Sequence, residues 1–221
     1  MRSNRSAQSS AKQAYTHIKE RVISGAYGAG ERLTEVQLAQ DLGTSRTPVR
    51  EAMRLLVAEG FLYFRPNHGT FVRAWSADEI RDIFDLRLLL ESEIAANAAR
   101  HISGKALAQL RMVQANLEAC GAQVNEATLN EMNNLNRDFH RIIGEASENA
   151  RLSSMLANAI EVPIVQRTFR RYNRAQLERS FQHHRELIDA LSCRDAEWAR
   201  DIMSCHIRSA KFAMLRNGET E

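Results

Sequence analysis

The chain has 221 residues, enough for two small domains with a core each, and its 44% apolar and 26% charged content marks a globular rather than disordered sequence. No apolar run approaches the ~20 residues that span a bilayer, and three scattered cysteines exclude a disulfide framework and suit a reducing cytoplasm. The net charge of +3 is uneven: residues 1–75 carry 11 Lys and Arg against 6 Asp and Glu (+5), and residues 76–221 carry 19 against 21 (−2).

Residues 1–10 are polar, lack the apolar core of a signal peptide and read as a disordered arm. A helix follows over about 11–24 with Tyr15, Ile18, Val22 and Ile23 as its apolar stripe, and Gly25, Gly28 and Gly30 break it. From Leu33 to Met53 the pattern is helix, turn at Gly43, helix. Val36, Leu38, Ala39 and Leu42 form the inward face of the first of these helices, and Val49, Met53 and Leu56 that of the second. Ser45, Arg46, Thr47 and Arg50 are left at the exposed N-terminal end, where a recognition helix meets the major groove. Arginine pairs two N–H groups with guanine O6 and N7, hydroxyls reach phosphates, and the basic balance of this region suits a polyanion. Arg46 and Arg50 read alternatively as solvated surface charges, and Lys12, Lys19 and Arg65 as phosphate contacts or plain surface. Two β-prone runs then flank Pro66-Asn67-His68-Gly69, a hairpin that completes a winged helix-turn-helix domain over 11–75. The boundary falls at Trp75 and Ser76, with Ser76 placed to cap the next helix.

The remainder, 76–221, reads as six helices at about 77–100, 103–119, 125–147, 150–171, 174–191 and 195–215. Ser103 and Asn149 are N-cap residues, and Pro163 kinks the fourth helix. Six such helices form an antiparallel bundle with a central pocket, so the fold is mainly α.

Three histidines stand out by spacing. Asn136 and His140 share one helix face at i,i+4. His184 precedes, and His206 follows, the turn near 192–194 by similar distances, which puts them within ~6 Å of one height on antiparallel helices. Three imidazoles and one oxygen donor suit a divalent first-row metal such as zinc, nickel or manganese, with positions open for a ligand. Three hydrogen-bonded core histidines are the alternative. Asp138 points to the opposite face from His140 and cannot join the set, and His183, His101 and His17 read as exposed or structural.

Ser45-Arg46-Thr47-Pro48-Val49-Arg50-Glu51-Ala52, Glu59-Gly60 and His68-Gly69-Thr70 closely resemble the GntR family of bacterial transcription regulators, and the helical remainder resembles its FCD effector domain. The six-helix count is nearer the VanR-type branch than the longer FadR-type one. The resemblance implies that Ser45, Arg46, Thr47 and Arg50 contact operator DNA, with His68 and Gly69 at a wing tip that enters the minor groove. His68 either reads a base or shapes the wing. Some relatives carry a DNA-reading arginine where this chain has Val36, so their operators do not transfer. Glu35, Glu51 and Arg54 are assigned structural roles. The resemblance also implies a metal held by an Asp-x-x-x-His pair and two later histidines, matching His140, His184 and His206, with Asn136 in the aspartate's place. An amide oxygen brings no negative charge, so affinity should fall or metal preference shift.

These readings converge on a homodimeric, cytoplasmic, ligand-responsive regulator, most often a repressor in this family, whose effector domain binds a small organic acid beside the metal. Arg87, on the first effector helix, is the candidate counter-charge, or alternatively part of a salt bridge. Competing functions are a regulator with a metal-free apolar pocket for an acyl ligand, a constitutive DNA-binding protein, and a metal-dependent enzyme. The last is disfavoured because no general base or nucleophile motif accompanies the histidines.

Overall fold

The computed structural model describes residues 2–159 and 162–216. The chain divides into two compact units. The first comprises residues up to Trp75 with a short segment of a later helix, and the second begins at Ser76.

The first unit runs α1 (Arg2–Ser24), β1 (Arg32–Leu33), α2 (Glu35–Asp41), α3 (Arg46–Ala58), β2 (Leu62–Arg65) and β3 (Gly69–Val72). Residues 2–10, read from sequence as a disordered arm, continue α1 instead. Ile18 and Val22 of α1, Leu38 of α2, Val49, Ala52 and Leu56 of α3, and Phe61 and Val72 of the hairpin all bury into one core. Val36 does not join them: it is exposed, because the two buried positions of α2, Leu38 and Ala39, already define its core face. Thr34 caps α2 by accepting from the Gln37 amide, and Gly43 takes a positive φ of 59° in the turn before α3. Strands pair antiparallel in the order β1-β3-β2. The hairpin register is Tyr63↔Phe71 and Arg65↔Gly69, closed by His68 N–H donating to the Arg65 carbonyl at 3.0 Å. Pro66 followed by Asn67 at φ 62° gives that tip the pattern of a type II turn. The third strand, β1, is absent from the sequence reading, since two residues show no alternation and only pairing with β3 defines it.

The remaining helices are α4 (Ala77–His101), α5 (Gly104–Ala122), α6 (Glu126–Ala146), α7 (Ala150–Ala159), α8 (Val162–Arg171), α9 (Arg174–Ser192) and α10 (Ala196–Arg216), all of the second unit except the residues of α8 up to Arg167, which group with the first. The helix expected over about 150–171 is helical over Ala150–Ala159 and Val162–Arg171, and residues 160–161 between them lie outside the described residues. Pro163 is the second described residue of α8, and the kink expected there falls against residues outside the described ones. Ser76 and Glu79 form a capping box, Ser103 accepts from the Ala106 amide, and Asn149 accepts from the Leu152 amide. Helix α4 packs most extensively on α10 and also meets α6, α7 and α9. Buried Ala95, Ala98 and Ala99 of α4, with Ala199, Ala210 and Ala213 of α10, are small enough for close helix approach. All three cysteines are free thiols. No described helix is long and apolar enough to cross a membrane.

Gly121 tests the packing between α5 and α9. A Cβ there would lie 2.6 Å from the Phe181 ring, which is only 3% exposed and packs with Leu177 and Leu117. Alanine gains about 1 kcal/mol in helix propensity, whereas overpacking a buried ring costs about 1–3 kcal/mol. Gly121→Ala should therefore lower unfolding free energy in urea titration, and an unchanged or raised midpoint would refute the tight packing.

Candidate nucleic-acid interface and metal centre

The start of α3 presents Ser45, Arg46, Thr47 and Arg50 on the exposed surface of the first unit. Ser45 occupies the N-cap position with extended backbone, and its hydroxyl makes no capping hydrogen bond. The free N–H groups of that helix end favour an anion. Arg46 and Arg50 lie one turn apart and converge on Glu35 at the start of α2. Arg50 donates from Nε and Nη2 to both carboxylate oxygens at 2.7 and 2.8 Å, and Arg46 Nη2 reaches Oε2 at 3.3 Å. The Arg50 hydrogen bond leads in holding the Glu35 carboxyl below its ordinary pKa, against a smaller opposing effect of burial. Both guanidiniums remain accessible, with side chains 60% and 47% exposed. Sequence reading gave Glu35 only a general structural role, because 11 and 15 residues separate it from its partners.

At the wing, His68 is exposed and Gly69 has φ 108°. A Cβ on Gly69 would lie 3.1 Å from Arg32 Nε, so β1 constrains that position as well as the backbone. Tyr63 stacks on Phe71 at 5.5 Å, leaving Phe64 on the exposed side of the hairpin.

In the second unit His140 of α6, His184 of α9 and His206 of α10 meet, one nitrogen from each lying within 4.8 Å of the others. Metal bonds of ~2.1 Å set donor atoms about 3–4 Å apart, so small side-chain rotations suffice to gather them. His184 is fully buried, stacks face to face on Phe139 at 4.0 Å, and shares its Nδ1 with Gln114 Oε1 at 2.9 Å. Gln114 is held in turn by Glu118, which also receives Arg185. His184 Nε2, His206 Nδ1 and both His140 nitrogens are buried without an aligned hydrogen-bond partner. Unpartnered buried polar atoms are rare in native proteins, and this group of them suits a cation. Burial, then neighbouring imidazoles, lowers the pKa of His184 and His206 well below the ordinary value, so both are neutral and able to ligate.

Asn136 is half-buried one turn before His140 on α6. Asp138 pairs instead with Arg141 at 3.3 Å. Arg87 is 4% exposed, not at the surface: its Nε donates to Glu91 Oε1 at 2.7 Å and its guanidinium lies 5.0 Å from the Phe84 ring centroid. Glu91 Oε2 lies 2.7 Å from His140 Nδ1. Burial works to raise the Glu91 pKa, but the Arg87 charge and then His140 overcome it and hold the carboxyl below its usual range. Burial pushes the Tyr172 phenol up to about 12, against smaller lowering effects of the Arg87 charge and the Ser180 hydroxyl. His183, read as exposed or structural, is half-buried, with Nδ1 unpartnered and its ring 6.0 Å from that of His206. Sequence reading missed Glu91 and Gln114; the i,i+4 spacing of Glu91 after Arg87 was the available signal.

A lowered histidine pKa stabilises the fold above the unfolded value near 6.5, and that contribution is lost as pH falls toward the folded value. Each proton taken up only by the unfolded chain costs ~1.4 kcal/mol per pH unit. Chelator-treated protein should lose stability from pH 7 to 5, a window above the carboxylate range of Glu91. Replacing His184 and His206 with leucine should flatten the slope. Equal urea midpoints at the two pH values in the unsubstituted chain would contradict the burial argument.

Residues 10–72 match the family described as bacterial regulatory proteins, gntR family, and residues 82–209 match the FCD domain. The uncharacterized HTH-type transcriptional regulator YdhC of Bacillus subtilis is 27% identical over 88% of this chain and 86% of its own length. A Paenarthrobacter nicotinovorans protein named "Probable D-xylose utilization operon transcriptional repressor" is 28% identical over 89% and 85%. The structure of Escherichia coli McbR/YncC superposes with a TM-score of 0.72 at 25% identity, covering 96% of this chain and 99% of that one. The B. subtilis and P. nicotinovorans relatives are named as a transcriptional regulator and a transcriptional repressor, not as enzymes. The chain belongs to the GntR family of bacterial regulators, as a DNA-binding transcriptional regulator whose C-terminal part is an FCD domain holding a histidine triad that could take a metal.

Proposed function

We propose that this protein is a ligand-responsive repressor, acting as a cytoplasmic homodimer of the VanR-type branch. Its winged helix-turn-helix domain spans 11–75 and its effector and dimerisation domain 76–221. Ser45, Arg46, Thr47 and Arg50 contact operator DNA from α3, with His68 and Gly69 at the wing tip. His140, His184, His206 and Asn136 hold a divalent zinc, nickel or manganese ion. When bound, the metal supplies open positions for the carboxylate of a small organic acid, and Arg87 supplies the counter-charge. The ligand alters DNA affinity only by favouring one arrangement of the DNA-binding domains over another.

The observation that carries the effector half is the set of buried imidazole nitrogens without aligned partners. It disfavours the metal-free apolar pocket, which leaves them unsatisfied. The DNA half is supported by the family match and by the exposed arginines at the start of α3. Repression is supported by the name of the P. nicotinovorans relative. Arg87 is already paired with Glu91, so an acid reaching it uses the outer Nη1 and Nη2 edge, to which no described residue hydrogen-bonds.

Operator duplexes selected from a random pool test the DNA reading. Arg46→Ala should weaken binding by ~1–3 kcal/mol in fluorescence anisotropy if Arg46 makes a bidentate base contact; unaltered affinity would remove it from the interface. For the effector half, elemental analysis after metal-replete purification should find stoichiometric metal in the wild type and none in folded His184→Ala. Asn136→Asp should tighten metal affinity by restoring a negative donor, and equal or weaker affinity would exclude position 136 as a ligand.

A further inference from the structure

We propose that Glu91 is a positioning residue of the metal centre: anchored through one oxygen by Arg87, its carboxylate orients His140 so that Nε2, not Nδ1, faces a divalent cation. The inference rests on the metal reading above and concerns a residue outside the proposed donor set. Glu91 is 2% exposed, and both its oxygens are engaged, Oε1 by Arg87 Nε and Oε2 by the approach of His140 Nδ1, each at 2.7 Å. Arg87, itself buried under Phe84, closes the far side of the carboxylate, which leaves Glu91 little freedom to turn elsewhere. The 2.7 Å separation is that of a charge-assisted hydrogen bond. His140 Nδ1 is close to that carboxylate without an aligned hydrogen bond to it.

His184 shows the same division of labour. Its Nδ1 is taken by Gln114 Oε1 while Nε2 is left buried and unpartnered. His140 likewise has a polar group at Nδ1 and an unpartnered, buried Nε2. A hydrogen-bond acceptor at one imidazole nitrogen fixes the tautomer and raises the basicity of the other, and losing it typically costs 10–100-fold in metal affinity. Where Asn136 brings no charge, Glu91 is the buried anion nearest His140. The chain Arg87–Glu91–His140 thus ties the proposed effector counter-charge to the metal ligand through a single carboxylate.

Chelator-stripped full-length protein, titrated with zinc against a chromophoric competitor, tests this. Wild type should take up one zinc per chain, and Glu91→Gln should bind it about 10–100-fold more weakly. Arg87→Gln/Glu91→Gln should show the same loss without leaving a lone buried charge, with far-UV circular dichroism reporting the fold. Nitrogen-15 shifts of the zinc-loaded wild type should show His140 protonated at Nδ1 and metallated at Nε2, a signature that a merely structural Glu91 would not set and that no variant is needed to read. Wild-type zinc affinity in a folded variant, or His140 metallated through Nδ1, overturns the proposal. A wild-type chain that binds no zinc overturns the metal reading itself, which separates that failure from the failure of Glu91 alone.

Discussion

A buried imidazole nitrogen without a hydrogen-bond partner costs on the order of 1–3 kcal/mol, and the helical unit carries five nitrogens with no aligned partner on His140, His183, His184 and His206. Against a typical net stability of about 5–15 kcal/mol, such a cluster is sustained only by strong packing or by a cation that satisfies it. The packing is present: α4 and α10 pack extensively and both carry buried alanines, and Phe139 lies flat on His184. The polar surroundings add orientation. Gln114 and Glu91 approach the triad from different helices, α5 and α4, so the three histidine-bearing helices are not the whole of the cluster.

The charged pairs at the two functional ends differ in physical kind. Glu35 sits between two exposed arginines, and exposed pairs contribute roughly 0–1 kcal/mol. Such a clasp aligns Arg46 and Arg50 without holding them against a stronger partner such as a guanine edge or a phosphate. Glu91 sits between groups out of water, where removing one partner leaves an uncompensated charge and is strongly destabilising. The first arrangement therefore suits an exchangeable surface, and the second suits a fixed internal scaffold.

Much of the local architecture was legible in the chain because local forces set it. The caps at Ser76, Ser103 and Asn149 act as their positions suggested, and the Pro-Asn-His-Gly turn closes the hairpin in register. The stripe of Ile18 and Val22 and the inward face of Val49, Met53 and Leu56 are buried. Val36 failed because a seven-residue helix has too few turns for periodicity to separate core from surface. The two-residue β1 failed for a related reason: its identity lies in its pairing with β3, not in its own residues.

The sequence by itself determined which candidate residues share a helix face or a height along the bundle. The arginines and hydroxyls at the start of α3 follow from a local amphipathic pattern, and the three histidines stood out because helical rise converts spacing into height. Tertiary structure alone decided what surrounds them. Glu35 reaches its arginines only because α2 and α3 fold against each other, and Glu91 reaches His140 only because α4 packs on α6. Side-chain hydrogen bonds act over about 3 Å between positions far apart along the chain, and no periodicity records such a meeting.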